Sequence, residues 1–223
     1  MNFYKYYNEY ENYSLAQKQV AKNLLDYMGK SNIFDTKIDS IFEIGCGTGI
    51  FTREYRKYFL HSDLILNDLF DVREFIKDID YNIFIQENIE ELDIPKSDLV
   101  VSSSVFQWIK DIESLIRNIA EHTDNLCFSS YIFGNLVEIK NHFEVSLDYL
   151  NIEEFEEILR KYFTSVKSYS ETIKLNFGSP MLLLKHLKYT GVTGFQKTSI
   201  SKIKTFKDNI LTYEVAYLSL IHI

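Results

Sequence analysis

The stretch Ser40 to Thr52, S-I-F-E-I-G-C-G-T-G-I-F-T, constrains this chain more than any other. Ile41-Phe42-Glu43-Ile44 is a short apolar run, of the kind that forms a strand buried in a parallel sheet. Gly45, Gly47 and Gly49 follow at alternate positions, and Thr48 and Gly49 open a helix expected to run to about Leu60. Glycine in such a turn permits positive φ and lets a ligand lie directly on the backbone, with no Cβ in the way. The free N–H groups of the new helix then face that ligand, which is expected to be flat or anionic. A tight turn with no ligand would use the same glycines. What argues for more is Glu43, two residues before the first glycine, and the acid Asp68 that ends the next apolar run. A dinucleotide fingerprint, G-x-G-x-x-G, would need glycine at position 50, where Ile50 stands, so a nicotinamide enzyme is disfavoured.

At 223 residues, 46% of them hydrophobic, the chain suits one well-buried core and a single domain spanning 1–223. Cys46 and Cys127 lie far apart in sequence, one in the glycine loop and one in an expected strand, and read as reduced thiols of a cytoplasmic protein. No apolar run approaches the ~20 residues that span a bilayer, and the first ten residues, M-N-F-Y-K-Y-Y-N-E-Y, are not a basic-then-apolar leader. Neither membrane nor export is expected. The formal charge is −8, but residues 1–179 carry −12 and residues 180–223 carry +4. An acidic body argues against nucleic-acid binding, which needs phosphate neutralised over a broad face. The lysines at 185, 188, 197, 202, 204 and 207 form either a solvated helix surface or a landing site for an acidic partner.

In order along the chain, residues 14–28 begin with Ser14 as an N-cap and place Ala16, Val20 and Leu24 on one face of an amphipathic helix. The aromatics before it, Tyr7 and Tyr10 among them, fold over something, either as core staples or, for Tyr10, as a cover on a pocket. Asp63 to Leu69 is a strand whose terminal Asp68 is placed to accept both hydroxyls of a ribose. The alternative for Asp68 is a helix N-terminal acid before an expected helix at 72–79. Strands at 82–86, 97–104, 124–133, 164–176 and 211–223 alternate with helices at 111–122 and 151–162. Ser179-Pro180 opens a further helix to Tyr189. These elements add up to an α/β fold, a Rossmann-like doubly wound sheet of about seven strands. Residues 1–30 form an N-terminal cap, and 177–210 form a lid inserted before the last strand. The fourth strand emerges into Ser102-Ser103-Ser104-Val105-Phe106-Gln107-Trp108. Gln107 and Trp108 offer two side-chain N–H donors to an anionic oxygen, although Trp108 could equally be a core residue.

E-I-G-C-G-T-G resembles the first motif of the class I S-adenosylmethionine-dependent methyltransferases. With N-D-L, N-I-E, S-S-S-V-F-Q-W, the opening Y-E-N-Y-S-L-A-Q-K-Q-V-A and the late L-L-L-K-H-L-K-Y-T-G, it is similar to the malonyl-acyl-carrier-protein O-methyltransferases of biotin synthesis. That resemblance implies S-adenosylmethionine as cofactor, held by Tyr10, Gln17, Glu43, Gly45, Cys46, Gly47, Gly49, Asp68, Leu69, Asn88, Ile89 and Ser102. Asn88 stands where such enzymes usually carry an aspartate, and its amide oxygen can still accept from an adenine amino group. The substrate implied is the free carboxylate of a malonyl thioester, on acyl carrier protein or coenzyme A; the alternatives are another small-molecule carboxyl or N-methyltransferase, or a non-catalytic module that binds the cofactor. Gln107 and Trp108 would hold it, with Tyr7 and Ser103 beside them, and Lys185 and Lys188 would meet the acidic carrier.

Overall fold

A computed structural model describes residues 7–191 and 199–221. Its sheet is built from β1 (Ser40–Ile44), β2 (Asp63–Asp68), β3 (Ile83–Gln86), β4 (Ser97–Ser103), β5 (Thr123–Tyr131), β6 (Ser165–Asn176) and β7 (Ile210–Ile221). The spatial order is β3-β2-β1-β4-β5-β7-β6. The first five strands run parallel, while β7 is antiparallel to both β5 and β6. Chain order therefore reverses between β1 and β4, and the loops leaving those two strands diverge to open a crevice at their carboxyl ends. This is the doubly wound α/β sheet that the alternation of elements implies.

Helices cover both faces. On one lie α1 (Tyr7–Tyr13), α2 (Leu15–Lys30), α3 (Ile50–Tyr55) and α7 (Pro180–Thr190), with Val20, Leu24, Met28, Phe51, Tyr55, Leu183 and Leu187 packed in one core. On the other lie α4 (Ile112–His122) and α6 (Ile152–Leu159), whose Leu115, Ile116, Ile119, Phe155 and Leu159 meet Phe42, Ile44, Val100 and Phe128. The two-residue period of a strand explains the division within β1: Phe42 and Ile44 face α4, leaving Ile41 and Glu43 on the α3 side. Short helices α5 (Val137–Phe143) and α8 (Ile200–Thr205) complete the connections. Asn151 caps α6 with a reciprocal bond to Glu154.

Three expected elements differ. Residues 72–79 hold only a 3-10 turn at Arg73–Phe75. The Arg53 guanidinium takes the Phe75 carbonyl at 2.8 Å, the acceptor that a continuing helix would offer to the Ile79 N–H; that N–H bonds Ile76 instead. Ser14 does not cap α2 with its side chain, whose hydroxyl donates back to the Glu11 carbonyl at 3.3 Å; it is the joint between α1 and α2. β5 stops at Tyr131, since the N–H of Phe133 turns to the Leu150 carbonyl. The aromatics at 3, 4 and 6, with Gly194, Lys197, His222 and Ile223, lie outside the described residues.

Helix α3 begins at Gly49, with φ of 79°. A Cβ there would stand 2.5 Å from Ile79 Cδ1 and 3.1 Å from Ile76 Cγ2, so the glycine seats the 69–80 segment against the helix start. Gly49→Ala should lower stability by about 1–3 kcal/mol, from left-handed strain and repacking. Urea unfolding checks this; an unchanged midpoint would contradict it.

Candidate active site

Strand β1 delivers Glu43 into the crevice, only 1% exposed. Thr52 Oγ1 and Tyr55 OH, one helical turn apart on α3, each donate to its Oε2 at 2.7 Å. Burial pushes the Glu43 carboxyl up to about 7, the two hydroxyls pulling the other way and the charge of Asp68 adding to the rise. The glycine loop then turns over it. Gly45 has φ of 68°, and a Cβ on it would lie 2.5 Å from Val105 Cγ2, so the loops after β1 and β4 touch only because this residue is glycine.

Asp68 at the end of β2 is fixed by the same loop. Its Oδ2 accepts the Gly47 N–H and its Oδ1 the Phe70 N–H, both at 2.9 Å. Burial raises its pKa, while the backbone donors at Phe70, Gly47 and Leu69 oppose that rise. Cys46 donates its N–H to the Asn67 carbonyl at 2.9 Å, tying the loop to β2. Burial lifts its thiol well above the ordinary range, which makes it a wall rather than a nucleophile.

Around these acids lies a cavity of about 560 Å³. Of the residues expected at a cofactor, Tyr10, Gln17, Glu43, Gly45, Cys46, Gly47, Asp68, Leu69, Asn88 and Ile89 line it. Gly49 does not, being the helix start described above. Nor does Ser102, whose hydroxyl points into the sheet and donates to the Ile44 carbonyl at 2.9 Å. Asn88 is turned to its own loop: its Oδ1 accepts the Glu90 N–H and its Nδ2 donates to Glu91 Oε1, each at 3.2 Å.

On the substrate side, Ser103, Gln107 and Trp108 line the cavity. Gln107, expected to offer its amide to a ligand, also bonds within the protein. Its Nε2 donates to the Ser104 carbonyl, and its Oε1 accepts from Ser130 Oγ at 3.3 Å and from the Tyr131 N–H at 3.4 Å. The side chain of Tyr7 lies outside the described residues. Lys185 and Lys188 are exposed on the outer face of α7, away from the cavity, with Lys185 Nζ 5.4 Å from the Tyr13 ring centre.

Thr48, Ser104, Tyr131, Tyr149 and Thr190 also line the cavity and escaped the sequence analysis. Their signal is three-dimensional: around this cavity Gln17 Oε1 and Thr48 Oγ1 are buried without a hydrogen-bond partner, and Ser104 Oγ and Tyr131 OH with none beyond each other. Buried polar atoms are ordinarily satisfied, so such a set around one cavity marks a place for a polar ligand. Acids for a cation and a sugar, exposed backbone and orphaned acceptors fit an adenosyl amino acid.

Residues 7–164 match a family described as methyltransferase domain. The chain is 34% identical to the malonyl-[acyl-carrier protein] O-methyltransferase of Calditerrivibrio nitroreducens, over 97% of this chain and 93% of that protein. The chain belongs to this methyltransferase family. The enzyme of the same name from Porphyromonas gingivalis is 33% identical, over 82% of this chain and 73% of its own length. Among solved structures, the YcgJ protein of Bacillus subtilis superposes with a TM-score of 0.65 at 12% identity, covering 90% of this chain and 98% of that one. The plantazolicin methyltransferase BpumL, solved with S-adenosylhomocysteine, gives 0.60 at 14% identity over 98% and 90%. Both show the class I methyltransferase fold.

A carboxyl raised from 4.5 to about 7 binds its proton more tightly folded than unfolded. Between those values the unfolded chain releases a proton that the native state keeps, so stability falls as pH rises through the window. Denaturation midpoints of the ligand-free protein at pH about 5 and about 8 should therefore differ less in Glu43→Gln than in the parent. Parallel pH dependences would contradict the burial of this charge.

Proposed function

We propose that this chain transfers the methyl group of S-adenosylmethionine to the free carboxylate of a malonyl thioester, with malonyl-acyl carrier protein as substrate, in biotin synthesis in the cytoplasm. The observation that carries this is the pair of buried acids, Glu43 and Asp68, held around one glycine loop, in a chain whose relatives are named for that reaction. Among the described residues no helix is long and apolar enough to cross a membrane.

Glu43 faces the ammonium of the cofactor and Asp68 its ribose hydroxyls. Gly45, Cys46 and Gly47 supply bare backbone beneath the amino-acid tail, while Leu69 and Ile89 pack on the adenine beside Asn88. When bound, the cofactor supplies an electrophilic sulfonium methyl. A carboxylate is already ionised at neutral pH, so the protein needs no general base. Its residues act by aligning the two reactants and by excluding water. The roof suits that task. Tyr10 from α1 and Thr190 from the end of α7 are both buried at the cavity edge, and Tyr13 stacks on Tyr189 with ring centres 4.6 Å apart. Residues 7–30 and 177–191 then serve as cap and lid of a single domain, with Ser103 and Trp108 lining the substrate side.

Lys185 and Lys188 stand outside this roof, in the basic final fifth of an acidic chain, where an acidic carrier protein would dock. Lys202 is neutralised by Glu144 at 2.6 Å.

Mass spectrometry of malonyl-acyl carrier protein incubated with S-adenosylmethionine and this protein should show one added methyl group. Transfer to other free acids alone would contradict the assignment. Lys185→Glu with Lys188→Glu should slow the carrier-bound substrate by about tenfold or more, through weaker encounter, and leave malonyl-pantetheine nearly unaffected. Equal losses on both would remove the docking site.

A further inference from the structure

The amide of Gln107, at the cavity lining, joins two segments of wall. By bonding the Ser104 carbonyl, Ser130 Oγ and the Tyr131 N–H, it ties the end of β4 to the end of β5. On the cavity side of those tied segments stand Ser104 Oγ and Tyr131 OH, both sealed from water and paired with no group but each other. Tyr131 is 5% exposed. Ser104 has φ of 61°, a backbone state that serine rarely adopts, held in place by bonds from its N–H to the Ser129 carbonyl at 3.0 Å and to Ser129 Oγ at 3.3 Å. Two buried hydroxyls that have only each other leave one O–H without an acceptor, an unmet demand for oxygen. Burial pushes the Tyr131 phenol far above its ordinary range, with Ser104 pulling the other way, so Tyr131 is a neutral donor throughout the physiological range.

We propose that Ser104 and Tyr131 receive the carboxylate that is methylated, and that Gln107 is the positioning residue that aims both. This rests on the methyl-transfer function above and names the substrate end of the same site. The chemistry favours such donors. A carboxylate oxygen attacks the sulfonium methyl, the new C–O bond forms as the C–S bond breaks, and the bonding pair stays on sulfur. Carboxylate and sulfonium charges vanish together and no proton moves. Because the nucleophile loses charge toward the transition state, an ammonium or guanidinium clamp would stabilise the starting state more than the transition state. Neutral hydroxyls orient the same oxygen with less of that penalty. Among the described residues lining the cavity, Lys110 alone is basic, and it is exposed.

The test combines calorimetry of S-adenosylhomocysteine binding with initial rates on malonyl-pantetheine. Tyr131→Phe and Ser104→Ala should each raise KM for the thioester by roughly tenfold, change kcat less, and leave S-adenosylhomocysteine affinity within about twofold. Gln107→Ala should raise KM in the same way, and combining it with Tyr131→Phe should add little, since both act through one contact. A merely structural role for Gln107 would instead give additive losses and weaker cofactor binding. An active parent whose KM is unchanged in both hydroxyl variants would overturn the assignment alone. A parent that methylates no malonyl thioester would overturn the function and this subsite together.

Discussion

Two carboxylates that resist ionisation, Glu43 and Asp68, hold the site together. Each is buried, each is raised from its ordinary value by that burial, and Asp68 raises Glu43 further. Buried charge is tolerated only where it is hydrogen-bonded or paired. Here the bonding is local and complete enough to keep both groups in place: hydroxyls of α3 on Glu43, backbone N–H groups of the glycine loop and of Phe70 on Asp68. What the protein leaves unsupplied is a cation. A ligand carrying an ammonium and a sulfonium beside a ribose supplies what these acids lack, and its binding reverses the cost of deprotonating Glu43.

The fold explains why those groups converge. Reversal of strand order between β1 and β4 opens a crevice beyond their ends, and Gly45 lets the loop after β1 approach Val105 in the loop after β4. One half of the cavity is thus lined from the ends of β1, β2 and β3, and the other from those of β4 and β5. Antiparallel β7, inserted between β5 and β6, closes the sheet and carries Tyr213, whose hydroxyl meets His186 of α7 at 2.6 Å. That buried contact anchors the roof helix to the sheet. Burial lowers the His186 pKa to about 4, so the anchor stays uncharged at neutral pH.

Much of this was legible in sequence because it is local. The apolar run before the glycines, the acid ending β2, and the alternation of strands and helices are short-range patterns, and their elements lie where those patterns put them. Failures occurred where a distant residue decided the outcome. Arg53 withdrew a carbonyl from the expected helix at 72–79. Ser102, next to two serines that line the cavity, points the other way because side chains alternate along a strand. Tyr131 lies in no motif and Ser104 only in S-S-S-V-F-Q-W, so it is their burial at the cavity, with no partner beyond each other, that singles them out.

A crystal structure of the protein with S-adenosylhomocysteine tests the central claim most directly. The account predicts the ribose hydroxyls on the Asp68 carboxylate and the amino group on Glu43, with the amino-acid tail lying across residues 45–47. A ligand bound elsewhere, or bound in the crevice with its ribose away from Asp68, would contradict it.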